Sequence, residues 1–242
     1  MPDAIFAHSR LALVYDEFEG DREDLLAYID IADQLEADMV IDIGCGTGTL
    51  AVLLARSGRT VLAIDPAEAS LEIAKTKDAP PAVTWLHGDA TDAPETGADL
   101  AIMSGNVAQV FVTDEEWSDA LTAIGRALRL GGHLVFETRR PERRIWEDWS
   151  RRAEPVVRDV PGVGHVEQRL DVTAVQLPLV SFRHIYTFAT DSAVVVSDST
   201  LRFRDRAEVE ADLSAHGYQV RDVRDAPDRP GREFVFIAEK TS

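Results

Sequence analysis

The sequence predicts an α/β protein: a doubly wound, mostly parallel sheet with an antiparallel β insert after its fifth strand. Three observations carry that reading. Short apolar runs alternate with amphipathic stretches through the first 140 residues, as they do when parallel strands are joined by crossover helices. After Arg139 the residues become β-branched and partly alternating, with turn residues between the runs. From residue 204 the first pattern returns, so the β-rich stretch is an insert. The expected divisions are 1–139 for N-terminal helices and an α/β core, 140–203 for a β-rich cap insert, and 204–242 for the closing helix and strands.

In chain order, "SRLALVYDEF" and "DREDLLAYIDIADQL" read as two helices ahead of the first strand. Strands are expected at roughly 39–43, 60–64, 83–86, 98–103 and 132–138. Between them, "TLAVLLARSG", "AEASLEIAKTK" and "DEEWSDALTAIGRALRLGG" carry apolar residues at helical spacing and end near glycine or lysine. The insert reads as three strands, "HVEQRLDVTAV", "LVSFRHIYTFAT" and "AVVVSDSTLRF", turned by "QLP" and "TDS". The helix-like "DRAEVEADLSAHG" leads to closing strands "YQVRDVRD" and "REFVFIAEK", separated by the turn-rich "APDRPG". The sheet then has seven strands.

Composition narrows the function. The 242 residues are 45% apolar, enough for a large core. No stretch approaches the roughly 18 apolar residues of a membrane span, and "MPDAIFAHSR" lacks a signal peptide's apolar run, which predicts a cytoplasmic protein without a membrane partner. Cys45 is the sole cysteine and the six histidines lack ligand spacing, so neither an intrachain disulfide nor a structural metal is expected. The charge of 25 minus 43, or −18, repels phosphates and argues against a nucleic-acid partner. Acidity by itself says little more, because three lysines and one asparagine also fit GC-rich codon usage or a salty cytoplasm.

The chemistry concentrates in "MVIDIGCGTGTLAVLLA", where Gly44, Gly46 and Gly48 follow a strand. Glycine is costly to order, so three in alternation mean that bare backbone is needed. At a strand end they allow a tight turn and close ligand approach, and the following helix offers free N–H groups. The spacing is Gly-x-Gly-x-Gly, not the Gly-x-Gly-x-x-Gly of dinucleotide sites; a purely structural turn is the alternative. Asp65 ends the second strand about twenty residues on, placed to accept from both ribose hydroxyls or to cap the helix that starts at Pro66. In "HGDATD", Asp89 suits an exocyclic amine and the Ala90 backbone a ring nitrogen, or the stretch is a polar turn.

Taken together, "VIDIGCGTGTL", "LAIDPAEASLEIAK", "HGDATD", "ADLAIMSGNVAQVF" and "ALRLGGHLVFE" resemble the successive motifs of class I S-adenosylmethionine-dependent methyltransferases, over roughly residues 38–139. The resemblance implies a Rossmann-like fold and S-adenosylmethionine as cofactor. It implies that Asp42, Gly44, Cys45, Gly46 and Gly48 lie against the methionyl part, Cys45 as a packing residue. Asp65 with Pro66 would hold the ribose, Asp89 and Ala90 the adenine, and Ser104, Gly105 and Asn106 the wall beside the sulfonium. The N-terminal "VYDEF", the insert and "PGREFVFIA" are similar to small-molecule N-methyltransferases, including those acting on nucleotide-linked amino sugars. There Tyr15 and Asp16 would sit on a helix over the cofactor, with Tyr15 facing the methyl group; a core aromatic is the alternative.

Tyr15 and Glu137 are the candidate catalytic residues. Glu137, at the carboxyl edge of the fifth strand, is expected to order an ammonium or accept its proton, unless it pairs with Arg139 or Arg140. His184 and Tyr186 share a strand face, read as solvated rather than as part of the acceptor site. "RRPERRIWEDWS" offers arginines to an acidic acceptor or, more simply, a helix docked through Trp146 and Trp149. The expected activity is methyl transfer to a nitrogen or oxygen of a small-molecule acceptor by a monomer or homodimer. A nicotinamide-dependent oxidoreductase and a non-catalytic S-adenosylmethionine-binding module are the alternatives.

Overall fold

The computed structural model describes residues 1–152 and 154–242. Two short N-terminal helices, α1 (Ala4–Ala7) and α2 (Ser9–Glu19), precede α3 (Leu26–Gln34). The core then runs β1 (Met39–Ile43), α4 (Thr49–Arg56), β2 (Thr60–Asp65), α5 (Glu68–Thr76), β3 (Val83–His87), β4 (Ala98–Met103), α6 (Asp114–Ala127) and β5 (Leu128–Arg139). Helix α7 (Ile145–Arg151) leads to β6 (Val156–Val160), β7 (Gly164–Gln176), β8 (Leu179–Phe188) and β9 (Ala193–Arg202). The chain closes with α8 (Arg206–Ala215), β10 (Tyr218–Asp225) and β11 (Glu233–Lys240).

The seven-stranded sheet has the order β10-β11-β5-β4-β1-β2-β3. Strands β1 to β5 pair in parallel, and β11 runs antiparallel to β5 and β10. The period of two along the strands explains both layers of core. Ile41, Ile64, Met103 and Phe136 face α6 and α8, while Val40, Ala63, Ile102 and Val135 face α3 and α4. Helix α6 illustrates the local cause: Thr113 and Glu116 form a reciprocal capping box, and Trp117, Ala120, Leu121 and Ile124 make one buried stripe.

Chain order reverses between β1 and β4, so their carboxyl ends splay connections in opposite directions and leave a crevice. The second sheet, β6-β7-β8-β9, is wholly antiparallel and stands over that edge. Four strands stand where the sequence shows three. In β6 only Val160 is buried while Val157, Arg158 and Asp159 are exposed, so this edge strand lacks the alternation that marks the others.

The cap sheet turns Tyr186 and Phe188 inward onto Leu11 and Val14 of α2. This corrects the expectation of a solvated face on β8: Val180, Phe182, Tyr186 and Phe188 are all buried, and His184 lies among them half-buried. The Ile5 N–H donates to Ser197 Oγ at 2.8 Å, and Ser70 Oγ donates to the Phe6 carbonyl at 2.9 Å. The N-terminal helices are thereby fastened to both cap and core. Trp146 packs on Phe203 at 4.9 Å between ring centroids and Trp149 on Phe182 at 5.1 Å, so α7 is the docked helix of the simpler reading. No helix among the described residues is long and apolar enough to cross a membrane.

Candidate active site

The glycine turn is held by β2. The Gly44 and Cys45 N–H groups both donate to the Ile64 carbonyl, at 2.8 and 3.0 Å. The Asp65 carboxylate accepts from Gly46 N–H at 2.7 Å and from Ala67 N–H at 2.8 Å, one oxygen each. Asp65 therefore orders the turn and the entry to α5 together, although the helix itself starts at Glu68 with Ala67 as its cap residue. Each oxygen keeps a lone pair for a further donor.

The three glycines answer different demands. All have positive φ, of 69°, 55° and 80°. A Cβ on Gly44 would meet Val107 at 2.7 Å, and one on Gly48 would meet Trp85 at 2.5 Å, so both allow close packing. A Cβ on Gly46 would meet nothing within 4 Å. Gly46→Ala should lower stability by only about 1 kcal/mol, the cost of left-handed backbone, yet weaken cofactor binding more than it weakens the fold. Thermal melts and titration of the same variant check this; a cofactor affinity unchanged by the methyl group would count against a ligand at the turn.

Below the turn, Asp42 is fully buried and neither carboxylate oxygen has a hydrogen-bond partner among the described residues. Burial, reinforced by nearby Asp65, pushes its carboxyl up to about 7. Burial also pushes the Cys45 thiol up and makes it a packing group. After β3, Asp89 Oδ1 accepts from the Thr91 N–H and hydroxyl at 2.8 and 2.6 Å, and Asp92 accepts from the Asp89 N–H. That capping box leaves Asp89 exposed beside buried Ala90.

Helix α2 lies over the turn. Asp16 accepts from Thr47 Oγ1 at 2.5 Å and pairs with Lys77 at 2.7 Å, while Lys77 donates to Thr49 at 2.8 Å. Tyr15, one residue earlier, is half-buried against Phe6, and burial pushes its phenol up. Asp16→Ala should release α2 and speed dissociation of S-adenosylhomocysteine severalfold, which stopped-flow exchange measures.

A cavity of about 380 Å³ opens between core, N-terminal segment and cap. The core contributes Gly105, Asn106 and Val110; the N-terminal segment contributes Phe6, Tyr15 and Arg22; and the cap contributes Phe182, His184 and Leu201. Of the sequence-predicted residues, only Tyr15, Gly105 and Asn106 line it. Asp42, Gly44, Cys45, Gly46, Gly48 and Asp65 gather at the neighbouring strand ends, with Pro66 and Ser104 flanking. Glu137 stands behind Asn106, accepting from its backbone N–H at 3.1 Å and its Nδ2 at 3.4 Å. Glu137 is 2% exposed, and burial with nearby Glu233 pushes its carboxyl up. Arg139 and Arg229 reach the cavity wall, whereas Arg140 goes to Asp225 and Arg143 to the Gly231 carbonyl. The arginine-rich stretch thus spends most of its charge on structure. Sequence reasoning missed the cap wall of Phe182, Ser199 and Leu201, whose only signal was the period of two in β8 and β9.

A second depression, about 760 Å³, lies over β10 and α8, remote from the carboxyl ends of β1 and β4, and does not join this site.

The family profile for "Methyltransferase domain" matches residues 40–132. Residues 40–132 of the chain carry a methyltransferase domain. The residues present fit S-adenosylmethionine as the cofactor of such a domain: a carboxylate at the end of β2, an open Gly46, and two buried Asp42 oxygens without partners among the described residues. The domain is 30% identical over 118 residues to the cypemycin N-terminal methyltransferase of a Streptomyces species, covering 48% of each chain. It is 35% identical over 99 residues to an uncharacterized methyltransferase of Oceanobacillus iheyensis, covering 41% of this chain and 46% of that one. The chain spans about half the length of these curated relatives. The methyltransferase CcbJ of Streptomyces caelestis shares the fold with a TM-score of 0.78 at 19% identity, 98% of each chain being covered. The sugar N-methyltransferase KedS8 of Streptoalloteichus does so with a TM-score of 0.77 at 18% identity, over 95% of this chain and 93% of that one.

Proposed function

We propose that the protein transfers a methyl group from S-adenosylmethionine to a nitrogen or oxygen of a small-molecule acceptor in the cytoplasm, as a monomer or homodimer without nucleic-acid or membrane partners. The observation that carries this reading is the cavity at the carboxyl edge, walled by the β4 loop on one side and the cap on the other. The cofactor, when bound, would supply an electrophilic methyl group on a sulfonium: a nucleophile in line opposite the sulfur would bond to that carbon as the carbon–sulfur bond breaks and S-adenosylhomocysteine leaves.

The residues bind, orient and exclude water. Asp65 receives the ribose hydroxyls and Asp42 a donor of the methionyl part, with Gly44 to Gly48 as their floor; Pro66, Asp89 and Ala90 border the adenine. Ser104, Gly105 and Asn106 wall the sulfonium, and Tyr15 closes the site from α2. Positioning of this kind supplies on the order of 7–11 kcal/mol in favourable cases, so no elaborate acid–base dyad is required. Asn106, and not Glu137, reaches the cavity, so we assign Glu137 the task of holding the Asn106 loop. An amine acceptor brings its lone pair to the methyl carbon and releases its surplus proton to solvent afterwards. The named activity of KedS8 on a sugar nitrogen supports nitrogen ahead of oxygen.

Turnover tests this reading. Purified protein with S-adenosylmethionine and a panel of primary amines and alcohols should form S-adenosylhomocysteine and methylated product together. Cofactor binding with no product from any acceptor would favour a non-catalytic binding module.

A further inference from the structure

Two buried polar atoms without partners among the described residues belong to residues on opposite walls of the cavity. One is Asn106 Oδ1, from the loop after β4; the other is His184 Nδ1, from β8 of the cap. Buried groups of this kind are rare in native proteins, and each costs about 1–3 kcal/mol until something satisfies it.

The Asn106 amide cannot turn over to satisfy itself. Its Nδ2 faces two buried carboxylates, at 3.4 Å from Glu137 Oε1 and 3.3 Å from Glu233 Oε1. Only an NH2 group can donate to both, so the oxygen is fixed on the other branch as a pure acceptor. Arg229, at 3.0 Å from Glu233 Oε1, holds that carboxylate in turn. The backbone φ of 63° and the N–H bond to Glu137 set the same residue a second time. Val107, the next residue, packs where a Gly44 side chain would be, so this loop abuts the glycine turn.

His184 stands among Phe182 and Tyr186, with ring centroids 5.5 and 6.2 Å away. Burial, then Arg152, pulls its pKa down to about 4. At neutral pH the imidazole is uncharged and offers one donor and one acceptor.

We propose that Asn106 and His184 hold the methyl acceptor from opposite walls: Asn106 Oδ1 receives a hydrogen of the nucleophilic group, and His184 binds a second polar group of the same molecule. The proposal rests on the methyltransferase reading and adds to it a two-point acceptor with an apolar body between its polar ends. Glu137 and Glu233 are positioning residues that act through the Asn106 amide.

Three probes built on one ring test it in the presence of saturating S-adenosylhomocysteine: trans-4-aminocyclohexanol, whose polar groups stand at opposite ends of the ring, cyclohexylamine and cyclohexanol, titrated by calorimetry. The amino alcohol should bind about tenfold more tightly than either single-function probe, the worth of one hydrogen bond. Asn106→Gly keeps the left-handed backbone and its N–H bond to Glu137, and should reduce the amino alcohol to the affinity of cyclohexanol. His184→Phe keeps the aromatic packing and should reduce it to that of cyclohexylamine. His184→Phe should not alter S-adenosylhomocysteine affinity, and Asn106→Gly, which trims the wall beside the sulfonium, should cost the amino alcohol more than it costs S-adenosylhomocysteine. Equal affinity for all three probes, binding of none, or equal loss of cofactor and probe in the variants overturns the proposal. Failure of the wild-type protein to bind S-adenosylhomocysteine would overturn the methyltransferase reading itself, and with it the proposal.

Discussion

Asp65→Ala should lose S-adenosylhomocysteine affinity on the order of a hundredfold, because two hydrogen bonds to a charged acceptor are each worth about 1.5–3 kcal/mol. The same carboxylate orders the protein before any ligand arrives. Its removal leaves the Gly46 and Ala67 N–H groups without their acceptors, 2.7 and 2.8 Å away in the wild type. A drop of about 1–3 kcal/mol in stability should accompany the lost binding. Calorimetry well below the melting temperature separates the two effects; a variant that melts lower and binds normally would confine Asp65 to a structural role.

Asp42 should make the unliganded protein less stable as pH rises. Its carboxyl is displaced upward to about 7 by burial and by Asp65, whereas the unfolded chain titrates near 3.8. Between those values the folded state binds more protons than the unfolded state, so the free energy of unfolding falls with pH across that window and is flat outside it. Each unit of displacement is worth about 1.4 kcal/mol, giving a total of roughly 4 kcal/mol. Asp42→Asn removes this slope. Denaturant melts of both proteins from pH 4 to 8 should show the variant gaining on the wild type up to about pH 7, with its cofactor affinity reduced. Parallel pH profiles would mean that Asp42 is ionised throughout and has a partner in solution.

How much of this was legible in the sequence depended on whether the signal was local. The strands through β4 were read within a residue of their ends, because apolar runs such as Met39–Ile43 are bounded by turn residues. Strand β5 begins earlier than expected, at Leu128, where Gly131 and Gly132 disguise a continuing strand. The glycine turn and Asp65 were visible because close backbone approach constrains residue type at fixed spacing. Strand β6 was not, since an edge strand with one buried residue carries almost no period. The cap wall was misread for a related reason: alternation in β8 shows that Phe182, His184 and Tyr186 share a face, but not that α2 and the core cover it. Glu137 shows the same limit. Its position at a strand end was correct, yet the Asn106 loop that separates it from the cavity is a tertiary fact.

We propose the carboxyl edge of this sheet as the binding site for S-adenosylmethionine and its product. Calorimetric titration of the wild-type protein with S-adenosylhomocysteine and, separately, with NADH tests it most directly. Micromolar, one-to-one binding of S-adenosylhomocysteine with no heat from NADH is the predicted result. Saturable binding of NADH with none of S-adenosylhomocysteine would contradict it.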